Sequence, residues 1–376
     1  MDHAGPPASA VTIGIVTALT VERAAVQAVA PGLAERRVPG DVHNYLVGSL
    51  PSRDPAAPHA VAVGLQTRDG TRDAAALCAD MARSFPGLRT FVMCGIAAGA
   101  GPAVRLGDIA VATGGVVDYG HVYRIDGTSE VRRPVQLPAA TWLRADAEVR
   151  SLEEAGRPPW PALLAEGTRF RRPDGAGLPA VHRGVVGSAD LLLRDARYRD
   201  ETARRYGLIA FEMEGAGVAI GASLRDLPWF MVRGIADHGD HATKNDLWHP
   251  YAALAAAAYV RALLAACPPF GGGTGPHPAP SSGSGFRMLV DALEGIPLMR
   301  DDYQRRAVLA TLPPRLRSAI PDGTVGRLHL VAVVQTCEQL PGGREALLDT
   351  LRLVLGEDSP DFQRFLGVAR RSWSLP

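Results

Sequence analysis

Short apolar runs alternate with amphipathic stretches along the first two-thirds of the chain. VTIGIVTA (11–18), HAVAVGL (59–65), TFVMCGI (90–96), DIAVATGGVV (108–117), GVVGSADLLL (184–193), LIAFEME (208–214) and WFMVRGIAD (229–237) read as buried strands. Residues 22–29, an Ala-rich stretch around 70–83 and another over 249–266 read as helices. Strands alternating with helices predict an α/β domain with a largely parallel sheet covered on both faces. The ends of these strands carry the unusual chemistry: Gly64, Gly95, Ser188, Glu212, Glu214 and Asp237. Open α/β sheets bind ligands at the carboxyl ends of their strands.

The pattern breaks at PPFGGGTGPHPAPSSGSG, residues 268–285. Gly, Pro and Ser bury almost nothing, so this segment is expected to be a flexible tether with a reach on the order of 25 Å. After it the periodicity becomes purely helical. FRMLVDALEGI (286–296) spaces Leu289, Val290 and Leu293 on one face, and EALLDTLRLVL does the same with Leu347, Leu348 and Leu351. Ser359–Pro360 reads as a helix N-cap followed by proline at the first helical position. The expected organisation is a disordered tail over 1–10, an α/β domain over 11–267, a linker over 268–285 and an all-α domain of about five short helices over 286–376.

Composition narrows the function classes. The chain has 376 residues, 40 basic and 39 acidic, for a net charge of +1. That balance offers no electrostatic footprint for nucleic acid or for an anionic membrane. Cys78, Cys94, Cys267 and Cys337 lie far apart without a CxxC pair, which fits a reducing cytosol and a cytoplasmic location. No run of about 18 apolar residues occurs, so no membrane span is expected.

Three stretches concentrate candidate chemistry. In AFEMEGAG (210–217) Glu212 and Glu214 are two apart, so on a strand they face one side. Apolar neighbours on both sides place them in or beside a pocket, where paired carboxylates grip hydroxyls or run acid/base chemistry. Asp237 ends the apolar run WFMVRGIA, and a carboxyl leaving such surroundings can have a raised pKa and act as a general acid. Glu22 follows Thr20, a plausible N-cap. A first-turn carboxylate is favoured there by about 0.3–1 kcal/mol, and it could equally be a general base at the end of the first strand. The residues themselves leave both readings open.

Common nucleotide motifs fail. GIAAGAG (95–101) is spaced GxxxGxG rather than GxGxxG, and no P-loop is present. It reads either as a tight turn or as a loop where backbone approaches a sugar or phosphate. DHGDH (237–241) has metal-like residues but no third ligand at a fixed distance, so neither a metal nor any other cofactor is expected.

Taken together these segments resemble the nucleoside phosphorylase superfamily, and most of all its hydrolytic members, such as the methylthioadenosine/S-adenosylhomocysteine nucleosidases. IGIVTALTVERAAV (13–26), GIAAGAGPAVRLGDIAVA (95–112), GVVGSADLLL, FEMEGAG and RGIADHGD (233–240) carry the resemblance over roughly residues 11–267. It implies a three-layer α/β/α domain with a mixed central sheet. It implies that Glu22 activates water, that Asp237 protonates the purine, and that Glu214 holds a ribose hydroxyl above Met213. Gly95, Ile96 and Ala97 would line the Gly-rich turn, and Ser188 and Asp190 would be the polar members of the segment packing on the base. Leu192 stands where relatives often have an aromatic residue, and Ile96 where many have a hydroxyl or glycine. Glu212 would orient the pocket, and Arg233 opens the segment that carries Asp237.

Residues 233–265 resemble nucleosidase domains fused to immune-receptor-like architectures, some of which attack ATP. The C-terminal segment resembles the effector-associated adaptor domains of bacterial conflict systems. The implied activity is release of adenine from a purine nucleoside or nucleotide by a homo-oligomeric enzyme, with a partner protein carrying a similar helical domain. Two alternatives remain: phosphorolysis, for which Arg23 and Arg68 are available, and a pocket that senses a nucleotide and signals through the C-terminal domain. Lys244, His238, Arg194 and Arg124 are further cations that could meet phosphates.

Overall fold

The computed structural model describes residues 6–125, 128–131, 135–165, 169–175, 177–241, 246–270, 283–317, 320, 326–340 and 342–373. The chain divides into two compact units, Met1–Gly272 and Gly273–Pro376. Of the stretches singled out above as tail and tether, 1–5 and 271–282 lie outside the described residues.

The first unit begins with β1 (Ile13–Thr17), α1 (Thr20–Val29), β2 (Ala34–Arg37), β3 (Asn44–Leu50), β4 (His59–Leu65) and α2 (Thr71–Ser84). It continues with β5 (Thr90–Gly99), β6 (Ile109–Asp118), a small hairpin of β7 (Val122–Ile125) and β8 (Thr128–Val131), α3 (Ala140–Glu154) and α4 (Pro161–Leu164). It closes with β9 (Val181–Ser188), α5 (Ala196–Tyr206), β10 (Leu208–Glu212), α6 (Gly215–Ser223), β11 (Trp229–Asp237) and α7 (His249–Ala266).

Nine strands form one mixed sheet in the order β10-β9-β6-β11-β5-β1-β4-β3-β2. Pairing is parallel from β4 through β1 and β5 to β11, and again from β6 through β9 to β10. It is antiparallel at β11–β6 and along β2–β3–β4. Strand β1 covers β5 only over Thr90–Met93, which leaves the far half of β5 short of a neighbour. Strand β10 supplies it, running antiparallel with Ala210 opposite Gly99 and Phe211 opposite Ala98. The five strands β5, β11, β6, β9 and β10 therefore close on themselves, which satisfies backbone groups an open edge would strand. The sequence reads GIAAGAG as a tight turn or as a loop of close backbone approach; the structure continues as strand to Gly99, and this closure is the reason.

Both sheet faces are apolar, which is why the strands read as continuous runs rather than alternating ones. Ile13, Ile15, Val92 and Val232 face α1, α3 and α7 in a core with Trp142, Leu254 and Tyr259. Their strand neighbours Val16, Phe91, Met93 and Met231 face α2 and α6, packing with Leu77, Met81 and Val218. Each such side chain contributes about 1.5–3 kcal/mol when fully buried. The Ala-rich composition of α7 serves close approach. A Cβ built on Gly234 would lie 1.9 Å from the carbonyl oxygen of Ala252, so strand β11 and helix α7 touch through backbone.

The second unit is helical: α8 (Gly283–Glu294), α9 (Pro297–Arg300), α10 (Asp302–Leu309), α11 (Pro314–Arg317), α12 (Gly326–Gln339), α13 (Gly343–Leu355) and α14 (Pro360–Trp373). Helix α8 starts at Gly283, inside the stretch expected as tether. Leu289, Leu293, Val333, Leu347, Leu351, Phe362 and Phe365 form its core. Arg305 is fully buried there, donating to the Met299 carbonyl at 2.8 Å and to His329 Nδ1 at 3.0 Å. No helix among the described residues is long and apolar enough to cross a membrane.

Replacing Gly234 by Ala should lower stability by about 1–3 kcal/mol, because the new methyl has no space against α7. Gly32→Ala, where a Cβ meets nothing within 4 Å, should change it by less than about 0.5 kcal/mol. Chemical-denaturation midpoints of the two variants check this, and equal midpoints would contradict the packing described.

Candidate active site

Four charged side chains meet where β11 lies beside β5. Arg233 pairs in register with Gly95, and its side chain is fully buried. A Cβ on Gly95 would fall 2.3 Å from Arg233 Nη1 and 2.4 Å from Glu22 Oε1. Only glycine leaves room for a guanidinium and a carboxylate over this point of the strand.

Glu22 comes from the first turn of α1 and is 1% exposed. Its Oε2 accepts from the N–H groups of Ala18 at 2.7 Å and Leu19 at 2.9 Å, and its Oε1 from Ile96 N–H at 2.8 Å. Arg233 Nη1 lies 3.8 Å from Oε1. Burial pushes the Glu22 pKa up, and Arg233 and the three amides oppose that rise only in part. The side chain thus fills the helix-start role and also reaches the charged cluster.

Glu212 and Glu214 meet the same guanidinium. Arg233 Nη2 donates to a Glu212 carboxylate oxygen and, at 3.1 Å, to Glu214 Oε2. They do so by a different geometry from the strand alternation the sequence suggests. Strand β10 ends at Glu212, and Glu214 is already the N-cap of α6, with φ −122° and ψ −29°. Glu212 accepts the N–H groups of Glu214 at 3.0 Å and Gly215 at 2.8 Å, which fixes the turn. Glu214 accepts Gly70 N–H at 3.1 Å from the loop before α2. Burial lifts the Glu214 pKa to about 7; Arg233 lowers it, and the neighbouring Glu212 and Glu22 raise it again. Three carboxylates share one guanidinium in a site closed to bulk water, so at least one carboxyl is driven toward its protonated form.

Asp237 ends the strand that carries Arg233, in register with Ala98, and is half-buried. Its Oδ1 accepts Gly239 N–H at 2.7 Å. Ile96 and Met213 are partly exposed, and Ala97 is buried, all beside this cluster.

The segment after β9 serves the scaffold in ways its sequence does not announce. Ser188 is fully buried, and its Oγ accepts Ala216 N–H at 3.0 Å at the start of α6. Asp190 holds the start of α2, accepting Thr71 N–H at 2.6 Å and the Thr71 hydroxyl at 3.1 Å. Leu192 is 58% exposed. The side chain from this segment that approaches the Asp237 turn is Leu193, 3.4 Å from where a Cβ on Gly239 would stand. Gly70 had no signal in the sequence, because its role depends on a backbone N–H rather than on a side chain.

A cavity of about 710 Å³ opens next to that turn, with His238 and Asp240 on its wall and Arg105, Arg199 and Arg204 around it. Arg199 ties helix α5 to the turn by donating to the His238 carbonyl at 2.5 Å. Of the other cations considered above, Arg194 is exposed, and Lys244 and the side chain of Arg124 lie outside the described residues.

Comparison with known proteins agrees with the fold. The family profile described as "Phosphorylase superfamily" matches residues 12–265, and that described as "Effector-associated domain 2" matches 290–370. A nucleotide-binding leucine-rich repeat (NLR)-like protein of Hyaloscypha variabilis is 28% identical over 298 residues, covering 67% of this chain and 29% of that protein. The ATP nucleosidase Cap17 of Escherichia coli is 28% identical over 253 residues, 65% of this chain and 49% of its own length. The 5'-methylthioadenosine/S-adenosylhomocysteine nucleosidase of Mycobacterium tuberculosis is 29% identical over 165 residues, 40% of this chain and 60% of its own length. The chain therefore spans 29% to 60% of the lengths of these curated relatives.

Among solved structures, futalosine hydrolase of Helicobacter pylori aligns with TM-score 0.53 at 16% identity, over 68% of this chain and 97% of that one. The Neisseria meningitidis 5'-methylthioadenosine/S-adenosylhomocysteine nucleosidase, in complex with methylthio-immucillin-A, aligns with TM-score 0.52 at 18% identity, over 68% and 98%. These likenesses carry the fold: an α/β domain with a mixed sheet, which here precedes a helical region. With residues 12–265 matched by its profile, the chain belongs to the phosphorylase superfamily, and it carries an effector-associated domain behind that fold.

Proposed function

We propose that this protein is a hydrolytic purine N-glycosidase that releases adenine from an adenine nucleotide, ATP included, and that it acts as the effector of a conflict system. The observation that carries this reading is the Arg233 nest, which brings Glu22 and Glu214 together, with Asp237 four residues further along the same strand. Cap17, named an ATP nucleosidase, and the mycobacterial nucleosidase support the choice of adenine compounds.

The reaction adds water across the C1′–N9 bond. Leaving-group departure builds positive charge on the sugar, as in glycoside hydrolysis. Glu214, held by Arg233 and Gly70, grips a ribose hydroxyl, and that grip tightens as the charge develops. Glu22 takes a proton from the water attacking C1′, and its raised pKa makes it the stronger base. Asp237 gives a proton to the purine N7, so the base departs neutral. Glu212 serves the turn and the guanidinium. Phosphorolysis would need an anion beside Glu22, which its carboxylate opposes.

The helical unit is assigned the recruitment role. It would bind a protein carrying a similar domain, and full-length chain should capture that protein from the native host while chain ending at Gly272 should not. Identical captured proteins would remove the role.

Base release should be followed by chromatography on ATP, AMP, adenosine, S-adenosylhomocysteine and guanosine, with and without phosphate. Adenine is expected, independent of phosphate. Glu22→Gln and Asp237→Asn should each slow release by roughly 10²–10⁴-fold. Phosphate-dependent turnover that survives Glu22→Gln would replace hydrolysis by phosphorolysis.

The buried carboxyls also set a pH dependence of stability. Native Glu214 holds its proton more tightly than the unfolded side chain, with a pKa near 7 against 4.5. Between those values the native state binds more protons, so this group's contribution falls as pH rises. Glu214→Gln removes the effect. Its stability relative to the unmodified chain should rise between pH 5 and pH 8, by at most about 3 kcal/mol. Denaturation curves at the two pH values test this, and a constant difference would refute it.

A further inference from the structure

A cavity begins one residue beyond Asp237. Ala98 and Asp237 stand opposite each other where β5 meets β11, and the residues that follow them, Gly99 and His238, both line the space of about 710 Å³ described above. That volume lies within the range of small-molecule sites, about 300–1,000 Å³. The charge on its wall is uneven. Arg105, from the loop after β5, and Arg199 and Arg204, on α5, stand against two acids, Asp200 and Asp240.

Neither acid neutralises the whole cluster. Arg199 donates through Nε to Asp200 at 2.7 Å and through Nη1 to the His238 carbonyl at 2.5 Å, so Asp200 is taken. Asp240 has a partner of its own. The ion pair of Arg105 among the described residues is with Asp108, at 3.5 Å. Asp108 does not depend on it: it accepts the N–H groups of Ala180 and Arg105 at 2.9 Å each and lies 2.9 Å from His182 Nε2. Arg204 makes no hydrogen bond or ion pair among the described residues. With a net charge of +1 the chain has no general attraction for anions, so an anion held here is held by these groups. A guanidinium fork meets two phosphate oxygens at once, and three guanidiniums on one wall fit a run of anionic groups better than a single carboxylate.

We propose that this cavity binds the phosphate chain of the nucleotide substrate, with Arg105, Arg199 and Arg204 as its cationic contacts. In the anti conformation of a purine nucleotide the C8–N7 edge lies on the side of C5′, which carries the phosphates. The chain of a nucleotide whose N7 meets Asp237 therefore leads past that residue into this space. The inference rests on the nucleosidase reading above and deepens it: the substrate carries several phosphates, and adenosine leaves the arginines unmet. A free polyphosphate has the same chemistry, and the test separates the two.

The test uses the full chain carrying Glu22→Gln, in which turnover is slowed, and reads binding by calorimetry. The probes are ATP, AMP, adenosine and inorganic triphosphate. Arg105→Gln and Arg204→Gln are added singly and together; both side chains are exposed. ATP should bind about tenfold more weakly for each arginine removed, AMP should lose less, and adenosine should bind as before. Unchanged ATP affinity, an equal loss for adenosine, or no binding of ATP at all overturns the assignment. A loss confined to inorganic triphosphate also overturns it, and makes the cavity the site of a separate polyphosphate. If the double variant does not fold, Arg204→Gln alone decides, because that side chain has no bond to lose. Base release by the unmodified chain is measured separately. A chain that binds ATP through the arginines but releases no base would lose the hydrolase reading and keep the phosphate site. A chain that releases adenine but binds ATP equally well without the arginines would keep that reading and lose the site.

Discussion

The buried guanidinium of Arg233 is the interaction on which the rest of the site depends. It lies over Gly95 with Glu22, Glu212 and Glu214 around it, all four side chains shut away from solvent. Burying one such charge alone would cost several kcal/mol, and leaving three carboxylates without it would cost more. Burial lifts Glu22 and Glu214 above the usual carboxyl range and Arg233 opposes that rise; at Glu214 the neighbouring Glu212 and Glu22 add to it. The same contact therefore positions the groups and tempers their protonation.

The sheet makes that contact possible. Arg233 reaches Gly95 because β11 and β5 run parallel in register, and Glu214 arrives because β10 closes over the far end of β5 in the opposite direction. An open, all-parallel sheet would have left Glu212 and Glu214 at a distant edge. The backbone turn after Glu212, pinned by its own carboxylate, then aims Glu214 at the guanidinium. Around this frame, Ser188 and Asp190 hold the starts of α6 and α2. These are the helices whose first residues lie next to Glu214 and Gly70, so the bonds of Ser188 and Asp190 brace the charged cluster.

The helical unit depends on a different device. Its core is made of leucines and phenylalanines with one buried arginine, Arg305, whose donors are met by backbone carbonyls and His329. A guanidinium held by directional bonds specifies one arrangement of α9, α10 and α12, whereas apolar packing alone tolerates several.

The apolar runs determined β1, β4, β5 and β11 and the long helix α7, because continuous burial leaves an unbroken hydrophobic signal at strand or helix length. Glu214 and Asp237 stood out for the same local reason, each a charge set in or at the end of an apolar run, whereas Glu22 and Arg233 were assigned to the site through the family resemblance alone. The edge strand β2 was not legible, since AERR is polar and mostly exposed, and β3 was not picked out from the sequence although NYLVGSL is largely buried between β2 and β4. Nor was the closure of β10 on β5, which made strand of a glycine-rich stretch expected as turn or loop. The tertiary structure alone decided that Gly95 is glycine because two charged side chains cross it, that Leu193 rather than Leu192 approaches the Asp237 turn, and that Gly70 holds Glu214. Those facts are distances between residues far apart in the chain, and periodicity in a sequence carries information only about neighbours a few residues away.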